Sequence, residues 1–170
     1  MPIWRDLFLS LLLVLFLPAS GEGKGGVPLT IGYLEHVLLE PDHVKIKAKI
    51  DTGAKTSSLG IEDLQEYEQD GNSWVRFSFS TPKGKKIVME RRVLRIVRIR
   101  RVGSAKEIRP VVELDICLDN LVLRTEVNLT IRKGMNYPML LGRRFLSQNI
   151  LIDPGKKYLT KPACRPVMAP

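Results

Sequence analysis

The sequence predicts an all-β domain, mainly strands with one short helix. Three observations predict it. Runs of alternating apolar and polar residues recur between Val44 and Ile131, as half-buried strands require. Turn-forming residues separate these runs, notably Asp70-Gly71-Asn72, Thr81-Pro82-Lys83-Gly84 and Asp119-Asn120. A single short helical stretch follows Gly142. The 170 residues, 44% of them hydrophobic, suffice for one ordinary domain with a core and a short extra segment.

In chain order, residues 1–20 read as a signal peptide or an N-terminal anchor. Arg5 supplies a positive charge, Leu7 to Leu17 is an apolar run of signal-peptide length, and Pro18-Ala19-Ser20-Gly21 offers small residues for cleavage. The run is short for a transmembrane span, so the domain behind it is expected in the periplasm or otherwise exported, anchored if the segment is retained. Residues 21–28 form a glycine-rich flexible spacer, and the folded domain is expected over residues 29–160.

Val44 to Ile50 alternates strictly and leads into a turn at Asp51. Glu62 to Glu68 is polar and ambiguous, whereas Trp74 to Phe79 is an alternating strand that recruits aromatics. Ile87 to Arg101 alternates apolar and basic residues and fits one long strand or a hairpin. Its basic residues read as a solvated face that discourages edge pairing, in preference to a dedicated anion groove. Pro110 to Leu118 and Leu121 to Ile131 flank Asp119-Asn120 as a two-residue hairpin. Tyr137 to Leu146 runs through three apolar residues into Gly142 and the helix. Asp153-Pro154-Gly155 is a turn, and residues 161–170, with three prolines, read as a disordered tail.

Asp51-Thr52-Gly53-Ala54 carries the chemistry. It puts a short acid on the tight turn leaving a strand, with a hydroxyl at Thr52 to pin the loop and a glycine at Gly53 to admit a second backbone. An aspartic peptidase needs two carboxylates sharing one proton, because like charges about 3 Å apart cannot both ionise. The triplet occurs once, and the chain is too short for a duplicated two-lobed enzyme. Asp51 therefore acts in a homodimer or does not catalyse.

Four segments resemble one bacterial family in composition and order: Lys47 to Leu59, Arg109-Pro110-Val111, Met139-Leu140-Leu141-Gly142-Arg143-Arg144 and Asp153-Pro154-Gly155. It is the retropepsin-like group that carries the label ATP-dependent zinc protease, and the match runs from about Tyr33 to Leu159. The resemblance implies an acid-protease fold, one retropepsin-like protomer with a closed β-barrel. It also implies Asp51, Thr52 and Gly53 as the catalytic loop, with Ala54, Leu141 and Gly142 in its support. One departure is Gly60, where members carry a histidine. No glycine-rich flap tip is recognisable; the Thr81 to Lys86 turn and the Val102 to Ala105 loop are both candidates for a substrate cover.

The label finds no support in the residues. ATP dependence requires a phosphate-cradling loop of the G-x-x-x-x-G-K-[ST] type, and zinc hydrolysis a His-Glu-x-x-His or equivalent set. Neither is present, His36 and His43 lack matching partners, and no cofactor or metal is expected. Arg143 and Arg144 are candidates for substrate or structural contacts, with Asp153 or Glu113 as the carboxylate they would orient. Cys117 and Cys164 are either a disulfide or two separate thiols.

The formal charge of +9 favours acidic peptides or an anionic envelope surface as partner, and export with scattered basic residues argues against nucleic acid. Two readings follow. One is a homodimeric aspartic endopeptidase cleaving a peptide or protein of the cell envelope. The other is a non-catalytic binding module in which Asp51 merely caps its turn.

Overall fold

The computed structural model describes residues 27–99, 107–131 and 136–165, so the signal-peptide segment, the Val102 to Ala105 loop and residues 166–170 lie outside the described residues. Among the described residues, eleven strands and one helical turn are formed: β1 (Leu29–Gly32), β2 (Leu34–Leu39), β3 (Val44–Ile50), β4 (Ser57–Ile61), β5 (Asp63–Gln69), β6 (Asn72–Ser80), β7 (Lys86–Ile99), β8 (Glu107–Leu118), β9 (Leu121–Ile131), β10 (Met139–Leu141), α1 (Arg143–Leu146) and β11 (Ile150–Asp153).

Six strands close a barrel in the order β2-β3-β10-β4-β9-β8, sealed where Leu38 and Leu39 of β2 pair with Cys117 and Ile116 of β8. The strict alternation of β3 explains its place in the wall. Val44, Ile46, Ala48 and Ile50 are buried, while Lys45, Lys47 and Lys49 point outward. Val37, Leu39, Leu59, Leu114, Ile116 and Leu129 complete the interior. Phe145 of α1 is fully buried, which stabilises the helix-barrel contact by about 1.5–3 kcal/mol. The all-β expectation, with its single short helix, is met.

Ile87 to Arg101 resolves into one strand over its described part rather than a hairpin. The first half of β7 pairs with β6 and the second half with β8, with a register shift between Val93 and Arg95. Among the described residues each half leaves one side without a paired strand, so basic residues there sit on strand edges. Beyond β7, the polar segment Glu62 to Glu68 becomes β5, the outer strand of a β5-β6-β7 meander. Val75, Phe77, Phe79 and Met89 bury the inner face of that meander.

Asp119, at φ 55°, opens the two-residue connection between β8 and β9. The C-terminal segment departs from the expected disordered tail as far as Arg165. Cys117 and Cys164 form a disulfide, and the Ala163 N–H donates to the Asp119 carbonyl at 2.6 Å. Upstream, Glu35 is fully buried and accepts from Gly32 N, Leu159 N, Thr160 N and Thr160 Oγ1, tying β2 to this segment. A cross-link over a sequence separation of 47 constrains the unfolded chain strongly. Replacing both cysteines by alanine is expected to cost about 2–4 kcal/mol, read as a lower urea midpoint than the parent shows without reductant.

Candidate active site

Asp51 stands at the end of β3, where parallel pairing to β10 sets its position: the Asp51 N–H donates to the Leu141 carbonyl at 2.9 Å. Its Oδ1 accepts from Gly53 N at 3.0 Å and Ala54 N at 3.2 Å. The turn thereby holds one carboxylate oxygen rigidly. Oδ2 has no hydrogen-bond partner among the described residues, and the side chain is half-buried. A rigid acid with one free oxygen can exchange a proton with a water or a second acid placed there.

The supporting residues pack from the other side. Gly142 N donates to Ser57 Oγ at 3.1 Å, Arg143 N to the Ala54 carbonyl at 2.9 Å, and Arg144 N to the Lys55 carbonyl at 3.1 Å. These are N–H groups at the start of α1, which its own turn leaves unpaired. The loop therefore satisfies the helix and the helix clamps the loop. A Cβ on Gly142 would lie 2.8 Å from the Thr56 carbonyl carbon and 3.0 Å from Ala54 O and Ser57 N.

Within one protomer, three contacts differ from those expected. Close backbone approach belongs to Gly142, not Gly53, whose Cβ would meet only Asp51 Oδ1, at 3.2 Å. Thr52 is exposed and joins the loop through its carbonyl: Arg143 Nη1 donates to the carbonyls of Thr52 and Gly53 at 2.7 and 2.8 Å. The arginines orient neither Asp153 nor Glu113. Arg143 braces the Asp51 turn, while Arg144 pairs with Glu126, which Arg95 also holds. A planar guanidinium suits two neighbouring carbonyls, so Arg143 is a positioning residue for Asp51.

The Thr81 to Lys86 turn is not a cover for Asp51 of its own chain. It lies against the β2–β3 connection, beside Asp42 and His43, about 20 Å along β3 from the aspartate.

Sequence reasoning missed the polar layer under the loop. Asn128 Nδ2 donates to the Ser57 carbonyl at 2.8 Å and accepts at Oδ1 from Arg109 Nη1 at 3.1 Å. Arg109, 7% exposed, is also bidentate to Glu107, whose Oε1 accepts from Thr130 Oγ1. The available signal was a set of polar residues, Arg109, Asn128 and Thr130, on strands otherwise rich in apolar residues.

The hydrogen bond from Arg95 is the main cause holding the Glu126 carboxyl below its ordinary value; partial burial opposes it, and the charges of Arg95 and Arg144 reinforce it. A lowered carboxylate contributes stability above its unfolded value, and the contribution is lost as pH falls through the folded value. Glu126→Gln is expected to lose about 1 kcal/mol at neutral pH, a deficit that shrinks as pH falls through the folded value of Glu126, read as urea midpoints of both proteins over a descending pH series.

Residues 30–163 match the family model described as RimB-like, retropepsin-like aspartic endopeptidase RimB. Among curated proteins, the chain is 32% identical over 116 residues to a probable alpha-L-glutamate ligase of Shewanella pealeana (66% of this chain, 25% of the relative). It is 31% identical over 118 residues to one of Desulfotalea psychrophila (65% and 24%). The chain thus spans about a quarter of the length of these relatives. A crystal structure of a Legionella pneumophila protein of unknown function superposes with a TM-score of 0.68 at 35% identity, covering 78% of this chain and 98% of that one.

Proposed function

Because the chain belongs to the RimB-like family of retropepsin-like aspartic endopeptidases, we propose that it is an exported aspartic endopeptidase acting as a homodimer. Each protomer contributes Asp51 across a two-fold axis. One aspartate, ionised, takes a proton from the attacking water while the other, protonated, donates a hydrogen bond to the scissile carbonyl. The observation that carries this reading is the half-held Asp51 carboxylate. Oδ1 is pinned by Gly53 and Ala54 and Oδ2 is left open. Arg143, Leu141 and Gly142 keep the turn from relaxing when a second charge approaches.

The formal charge of +9 supports an acidic peptide or protein substrate of the cell envelope, or attraction to an anionic envelope surface. The curated relatives are named probable alpha-L-glutamate ligase, and glutamate is the acidic residue proposed for such a substrate. The apolar Leu7 to Leu17 segment supports export to the periplasm, and the Cys117–Cys164 disulfide suits an oxidising compartment.

A second reading, a non-catalytic binding module, is favoured by one observation: in the relatives the matching region is a minor part of a longer ligase. The chain from Val27 onward, incubated with a diverse peptide library at mildly acid pH while its mass in solution is recorded, separates the two. Cleavage by a dimer supports the dyad. A monomer that cleaves nothing, or a monomer that cleaves, removes it.

A further inference from the structure

A cleft of about 490 Å³ opens at the other end of β3 from Asp51, between β3 and the β6–β7 turn. Lys45 and Lys47 line one wall, and Lys83 and Lys85 the other. Two apolar residues of β3, Val44 and Ile46, and Ile87 of β7 contribute to its floor. None of the four lysines has an ion pair among the described residues; the neighbouring Lys86 is the one that reaches an acid, Asp63. Among the described residues, Asp42 is the one carboxylate that lines the cleft. Glu40 lies buried behind it, with its Oε1 3.1 Å from His43 Nδ1. Burial first, then the charges of Lys45 and Lys47, holds the His36 imidazole below its ordinary value, in keeping with a positive potential at this wall.

The rim is also preorganised. In the turn, Thr81 N donates to the Lys85 carbonyl, Gly84 N to the Thr81 carbonyl, and Lys85 N to Thr81 Oγ1. His36 is stacked on Tyr158 with ring centroids 4.5 Å apart. Four ammonium groups without an ion pair among the described residues give the cavity a positive potential that favours an anionic ligand.

We propose that this cleft is an exosite for an acidic peptide segment, whose carboxylates pair with lysines on both walls. A chain lying in a two-walled cleft reaches all four, whereas a flat bilayer surface reaches only the rim. The outward face of β3 continues the track: Lys45, Lys47 and Lys49 stand about 7 Å apart, and the last precedes Asp51 by two residues. An extended peptide of about six or seven residues spans the distance from Lys45 to Asp51. Binding in the cleft stands on the cleft alone; only its link to cleavage rests on the peptidase reading.

The test measures binding with turnover removed. Asp51→Asn protein, purified after expression of the full chain, is titrated against a fluorescein-labelled ten-residue L-glutamate peptide by anisotropy. The combined Lys45→Ala, Lys83→Ala and Lys85→Ala variant is expected to bind at least about tenfold more weakly. A control of equal charge, combining Arg92→Ala, Lys157→Ala and Lys161→Ala, is expected to lose under about threefold. Thermal midpoints verify that all variants fold. Equal losses in the two triples, or no binding by the parent, overturn the exosite. So does a cleft triple that loses binding to phosphatidylglycerol vesicles while keeping the peptide. Cleavage of neutral peptides by the wild-type chain is scored separately, so a failed exosite and a failed peptidase are told apart.

Discussion

Asp51→Asn is expected to abolish peptide cleavage, by at least about a thousandfold, while leaving fold and solution mass unchanged. The asparagine oxygen can replace Oδ1 and accept the same N–H groups of Gly53 and Ala54, at 3.0 and 3.2 Å in the parent. The turn therefore keeps its shape. What is lost is the exchangeable proton: in a dimer of two such variants no group remains to take a proton from water or to share one with its mate. The rate of cleavage of a labelled peptide, beside the thermal midpoint and mass of each protein, checks this. Cleavage by the variant at the parent's rate would mean that the activity comes from elsewhere in the chain or from a contaminant. Lost cleavage with an unfolded variant would instead show that the two backbone bonds need the full charge of a carboxylate.

The second large effect is expected at Gly142. Its backbone, φ −91° and ψ 174°, is extended and open to any residue, so the requirement for glycine is purely one of space. An added methyl group would meet Thr56 C at 2.8 Å and Ala54 O and Ser57 N at 3.0 Å, all of them main-chain atoms. Main chain cannot swing aside as a flexible side chain does. Either the loop after Asp51 moves off α1 or α1 moves off the barrel, and both break the bonds from Arg143 N to Ala54 O and from Gly142 N to Ser57 Oγ. Gly142→Ala is expected to cost about 1–3 kcal/mol in urea unfolding. It should also remove most cleavage at temperatures where the variant is still folded, because the carboxylate loses its fixed position. Gly53→Ala is the informative comparison. Its methyl group meets only Asp51 Oδ1, at 3.2 Å, so it should disturb activity more than stability. A Gly142→Ala protein with parental stability and rate would show that the loop is not held by this contact.

Elements whose two faces differ were legible from the residues. β3, β7 and the first part of β6 alternate because one face meets the core and the other water, whereas β8 and β9, buried on both faces over much of their length, were legible from the Asp119-Asn120 turn between them. β5 was not legible, since Asp63–Gln69 is exposed or half-exposed along its whole length and hydrophobic burial leaves no pattern in it. β10 carries no signal for its partners. Three residues, Met139–Leu141, pair parallel with β3 and antiparallel with β4, which only barrel closure can bring to either side of them.

For the site, the sequence by itself determined the acid, its turn and the apolar run into Gly142, because an Asx-type turn after a strand is a local structure made by adjacent residues. Tertiary structure alone decided what holds that turn. Arg143 meets Thr52 and Gly53 across about ninety residues of chain, Asn128 reaches Ser57, and Cys117 finds Cys164. Each of these contacts joins side chains or carbonyls whose separation is set by the closed barrel. Residue type limits what such groups can bond to; only packing selects which of the eligible partners they meet.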